Sequence, residues 1–80
     1  MESKIAVIAI IVEDKGAVER INSILHDFSE FVIGRMGLPY KEKGLSVISV
    51  VIDAPQETIS SLSGKLGMIN GVKSKVLTAK

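Results

Sequence analysis

Eighty residues, 46% of them apolar and 24% charged, make room for one hydrophobic core and exclude a second domain. With no Cys and a single His, the chain has neither a disulfide nor a metal cluster to support so small a core, which leaves association with other subunits as the support. The formal net charge of +1, Lys and Arg spread from Lys4 to Lys80, and aromatics limited to Phe28, Phe31 and Tyr40 give neither a basic footprint nor a base-stacking platform, so direct nucleic-acid binding is not expected.

The first apolar run, Ile5 to Val12, is too short and too β-branched to cross a membrane, and no small-residue cleavage site accompanies it. The expectation is a soluble, cytoplasmic protein in which this run is a strand that ends at Glu13-Asp14-Lys15-Gly16. From Ala17 the period changes. Val18, Ile21, Ile24, Leu25 and Phe28 recur at helical spacing, with Glu19, Arg20, Asn22, Ser23, His26 and Asp27 opposite them, and Asp14 is placed to cap the helix.

Two extended segments follow, Phe31 to Tyr40 and Leu45 to Asp53, joined by the charged turn Lys41-Glu42-Lys43-Gly44 as a hairpin. Asp53 is available to cap a second helix, Pro55 suits its first turn, and Ile59, Leu62 and Leu66 form its apolar stripe before Gly67. Asn70-Gly71 leads into a fourth strand, Val72 to Thr78. The order strand, helix, hairpin, helix, strand predicts an α+β, ferredoxin-like βαββαβ sandwich, a single domain over 1–80 with a four-stranded antiparallel sheet and two helices on one face.

A sheet covered on one side alternates apolar and polar side chains. The first strand does not: Ile5, Val7, Ala9 and Ile11 point one way, and Ala6, Ile8, Ile10 and Val12 the other. The third repeats this, with Leu45, Val47 and Val51 against Ile48, Val50 and Ile52. Two short helices shelter one face, so Ile5, Val7, Ala9, Ile11, Val47 and Val51 are expected to form a homo-oligomer interface, in a dimer or tetramer with two-fold symmetry.

Catalytic and metal chemistry find little in the chain. His26 lies on the polar side of its helix with no second His and no Cys, so no metal site and no cofactor are expected. The serines, from Ser3 to Ser74, share that one imidazole as a base, and Glu13-Asp14 reads as helix-start chemistry. The densest stretch is Gly34-Arg35-Met36-Gly37-Leu38-Pro39-Tyr40-Lys41, whose glycines imply a bulge or a close approach. Arg35, placed by alternation with Phe31 and Ile33, either lines an effector pocket with Tyr40 and Lys41 or pairs with a carboxylate such as Glu13 or Asp53; ion pairs are the commoner use. Gly16 could admit a ligand at the first helix N-terminus.

The run Gly34 to Gly44, the segment Leu45 to Pro55, Leu62-Ser63-Gly64-Lys65-Leu66-Gly67 and Gly71-Val72, together with the first strand, resemble the iron-only hydrogenase system regulators over nearly the whole chain. That resemblance implies an ACT-like domain, similar to the effector-binding C-terminal portion of the nickel-responsive repressor and encoded beside hydrogenase maturation genes. It implies a regulator, with transcriptional regulation among the expected roles. That the chain is not an enzyme is expected because no base, nucleophile and orienting group converge in it. The repressor's nickel ligands, histidines and a cysteine, cannot be carried onto a chain with His26 alone. ACT-like domains take effectors near the loop after the first strand at a subunit interface, which here corresponds to Glu13, Asp14 and Gly16. Two functions follow: an oligomeric domain that binds a small effector, or a protein-interaction subunit without one.

Overall fold

The computed structural model describes residues 2–79; Met1 and Lys80, which the assignment of one domain over 1–80 includes, lie outside the described residues. The elements are β1 (Lys4–Val12), α1 (Val18–Asp27), β2 (Val32–Tyr40), β3 (Leu45–Ala54), α2 (Gln56–Gly67) and β4 (Val72–Thr78). Short 3-10 turns, Lys15–Ala17, Ser29–Phe31 and Lys41–Lys43, fill the connections. The sheet order is β2-β3-β1-β4 with antiparallel pairing throughout. This is the ferredoxin-like arrangement expected from the sequence.

Alternation in β1 positions the core. Ala6, Ile8, Ile10 and Val12 are buried, and their cross-strand partners Ile52, Val50, Ile48 and Ser46 share their face. Ile21, Ile24 and Leu25 of α1 and Ile59, Leu62 and Leu66 of α2 close over them. Each such Ile or Leu contributes roughly 1.5–3 kcal/mol by leaving water, so the apolar layer between the helices and the sheet is the folding core of this domain.

The connections differ from expectation in instructive ways. Asp14 does not cap α1 itself. Its carboxylate accepts a 2.9 Å hydrogen bond from the Gly16 amide and so caps the 3-10 turn, while Ala17 occupies the α1 N-cap without a side-chain bond. Asp53 caps nothing: the β1–β3 ladder runs one pair further, to Lys4 and Ala54, and holds Asp53 in the strand opposite Ile5. Pro55 is the extended N-cap of α2, one residue before the first helical position, and its carbonyl accepts from the Thr58 and Ile59 amides.

Gly44 ends the Lys41–Lys43 turn with φ of 65°, a left-handed conformation that glycine adopts without Cβ strain. Gly71 has φ of 80°, and a Cβ there would stand 2.5 Å from the Asp14 Cβ. The Gly71 carbonyl accepts a 2.7 Å bond from the Glu13 amide, so the turn after β1 and the turn before β4 are stitched together.

Candidate functional site

The face of the sheet away from the helices is uncovered. Following the registers from β2 across to β4, its rows read Gly34–Val51–Val7–Leu77, Met36–Ser49–Ala9–Lys75 and Leu38–Val47–Ile11–Lys73. Tyr40 beside Leu45 extends it at one end, and Ile5 beside Asp53 at the other. Large apolar side chains stand in water here, with Met36 65%, Leu38 58% and Ile11 41% exposed. Four strands about 4.8 Å apart and about 3.3 Å per residue give a footprint of roughly 550 Å². That footprint includes the polar Ser49, Lys73 and Lys75, so its apolar part falls within the few hundred Å² that monomers expose, where such patches are commonly functional.

All six residues expected at an interface, Ile5, Val7, Ala9, Ile11, Val47 and Val51, lie on this face. The structure adds Met36, Leu38, Tyr40 and Leu77, which the sequence reading left out. For β2 the signal was present, since Met36, Leu38 and Tyr40 alternate around Gly37 and Pro39. Leu77 becomes visible only through its register opposite Val7. The face is not uniform in charge. Its β4 column carries Lys73 and Lys75, with Lys73 Nζ 3.9 Å from Glu13 Oε2 in an exposed pair that contributes little.

Arg35 occupies the other side. A bulge between Val32 and Gly34 inserts one residue, so Gly34 pairs with Val51 on the open face and Arg35 pairs with Val50 on the helix face. Arg35 therefore does not stand with Ile33. It meets neither Glu13 nor Asp53: its Nη2 donates a 2.8 Å hydrogen bond to Asn22 Oδ1 on α1. Nor does it share a pocket with Tyr40, which is five residues along the strand, roughly 16 Å away, and on the opposite face. Lys41 lies just beyond Tyr40 in the turn that follows β2.

Glu13, Asp14 and Gly16 come together at the end of β1, with Gly71 packed behind them. The Asp14 carboxylate already occupies the N-terminal side of this turn, where an anionic ligand would have to sit. His26 is exposed on α1 and borders a hollow of about 350 Å³ with Asn22, Leu25, Ser29, Val32 and Arg35. Among the described residues no group of three or more His, Cys, Asp or Glu could hold a metal ion. Among the described residues no helix is long and apolar enough to cross a membrane.

Comparison with known proteins gives four results. Residues 4–76 match the family described as "TM1266-like: Iron-only hydrogenase system regulator, putative". Protein TM1266 from Thermotoga maritima, a solved structure, is 36% identical with a TM-score of 0.94, over 99% of this chain and 100% of its own. A formyltetrahydrofolate deformylase from Pseudomonas putida KT2440 shares the fold alone, at 12% identity and a TM-score of 0.67; the match covers 95% of this chain but 29% of the deformylase. No curated protein matches.

Proposed function

We propose that this chain, which belongs to the family of iron-only hydrogenase system regulators, is a non-enzymatic regulatory domain. It self-associates through the open face of its sheet and takes a small effector where subunits meet. The effector changes how subunits pack or which partner they engage, and so adjusts an iron-only hydrogenase system from the cytoplasm. The observation that carries the assembly is the unsheltered apolar face, with Ile5, Val7, Ile11, Met36, Leu38, Val47 and Leu77 all in water in a single chain. The family description supports the regulatory role.

A second reading has its own observation. Lys73 and Lys75 make one column of the face cationic, and an acidic protein partner would match that column better than a second copy stacked β4 over β4. In that case the domain is an interaction subunit without a small ligand.

Sedimentation at micromolar concentration tests the assembly, with a dimer or tetramer expected; a well-behaved monomer with its face wet overturns it. A thermal-shift screen of organic acids, amino acids, nucleotides and metal ions then separates the readings. A specific rise in Tm is expected from the first, and no response from the second.

A further inference from the structure

On the helix side, α1 leaves the second half of β2 uncovered. Gly37 and Pro39 face that way opposite Ile48 and Ser46. With Val18, Asn22, Arg35 and Leu38 they border an open groove of about 280 Å³. The chemistry of its lining is one-sided. Val18, Ile48, Pro39 and Leu38 are apolar, the Ser46 hydroxyl and Asn22 amide are neutral, and the Arg35 guanidinium is the only charge among the described residues that line it.

Arg35 carries five N–H donors, of which the bond from Nη2 to Asn22 Oδ1 uses one. Its planar fork suits a carboxylate held by two hydrogen bonds. Among the described residues no acidic side chain lines the groove, so a ligand ammonium would find no counter-charge among them.

We propose that this groove binds a small monocarboxylate with a compact apolar chain, its carboxylate on Arg35 and its chain over Val18 and Ile48. The site names an effector class, places it on the helix side of β2 and not between the open faces, and rests on the function proposed above only for the claim that its occupancy regulates. β2 supplies the link between the two. The same five residues present Gly37 and Pro39 to the groove and Met36, Leu38 and Tyr40 to the open face. A ligand that fixes this edge strand from one side therefore fixes part of the association surface on the other.

The test is a titration of the full chain with 3-methylbutanoate, followed by amide chemical shifts in NMR, with neutral 3-methylbutanamide, leucine and inorganic phosphate as controls. Expected are saturable shifts at Val18, Gly37 and Ser46, with the amide weaker by at least about tenfold through loss of the charge-assisted bonds. Leucine and phosphate should also bind more weakly than the acid. Arg35→Gln should weaken the acid by a similar factor.

Gly37→Val fills the groove and should abolish binding without disturbing the fold: Gly37 does not have positive φ, and a Cβ there meets nothing within 4 Å. No saturable response to millimolar acid overturns the site. So does equal binding of acid and amide, leucine or phosphate binding as tightly as the acid, or a Gly37→Val chain that binds like its parent. Sedimentation of the same samples reads the assembly separately. A monomer that binds the acid retires the oligomer and keeps the groove, and an oligomer that ignores the acid does the reverse.

Discussion

Neighbouring residues in β1 have nearly the same composition and opposite surroundings. Ile10 is 0% exposed under the helices, and Ile11, the next residue, is 41% exposed on the bare side. Hydrophobicity alone therefore does not say which isoleucine holds the domain together. Coverage does: two helices of ten and twelve residues shelter one side of four strands. The buried side is the folding surface, and the bare side is free to be spent on association.

The sharpest way to break this comparison is to truncate each neighbour. Ile10→Ala should cost about 2–5 kcal/mol of unfolding free energy through the cavity it leaves. Ile11→Ala should cost less than about 1 kcal/mol in dilute protein, because little surface is lost from the core. Urea unfolding of both variants decides it, and equal losses would refute the division of labour between the faces.

Next comes a charge on the bare side. Val7→Lys should leave the fold intact but weaken association at least about a hundredfold, since an unpaired buried charge costs about 3 kcal/mol or more. Sedimentation against concentration measures this.

At the end where the two faces meet, Gly71→Ala should cost about 2–3 kcal/mol, combining left-handed strain with the clash against Asp14. Gly44→Ala, with open space around it, should cost about 1 kcal/mol. A pair of thermal melts checks the difference. The smallest effects belong to the polar rim. Asp14→Ala should lose about 0.5–1 kcal/mol with its cap. Lys73→Ala should change stability by less than about 0.5 kcal/mol, because its bond to Glu13 is long and exposed.

Periodicity made most of the fold legible. The spacing of Ile21, Ile24 and Leu25 marks the buried stripe of α1, the double-faced pattern of β1 and β3 marks the sheet centre, and both turn glycines sit where the chain reverses. What periodicity could not supply was phase across an irregularity. Gly34 signalled a bulge, but not which residue is the extra one, and a one-residue slip moves every later side chain to the other face. Arg35 crossed the sheet for that reason and found Asn22 in place of a carboxylate. Caps were misjudged for a related cause: ladder pairing to Ala54 outcompeted Asp53 as a helix start, and a 3-10 turn absorbed Asp14. The groove beside Gly37 was invisible because it depends on how far α1 extends over an edge strand, which no local pattern records.

The placement of β1 has a consequence for the newborn chain. It is made before the other three strands of this sheet, yet both of its neighbours, β3 and β4, are made after it. Until residues 45–54 have left the ribosome, a segment sticky on both sides waits with no partner, and its second edge waits until the last strand emerges. Lys4 at the start of the segment and Glu13 and Asp14 just after it are charges placed where they oppose pairing with copies on neighbouring nascent chains. The yield of folded protein should therefore depend on how soon residues 45–54 follow β1 out of the ribosome, as well as on the stability of the finished domain.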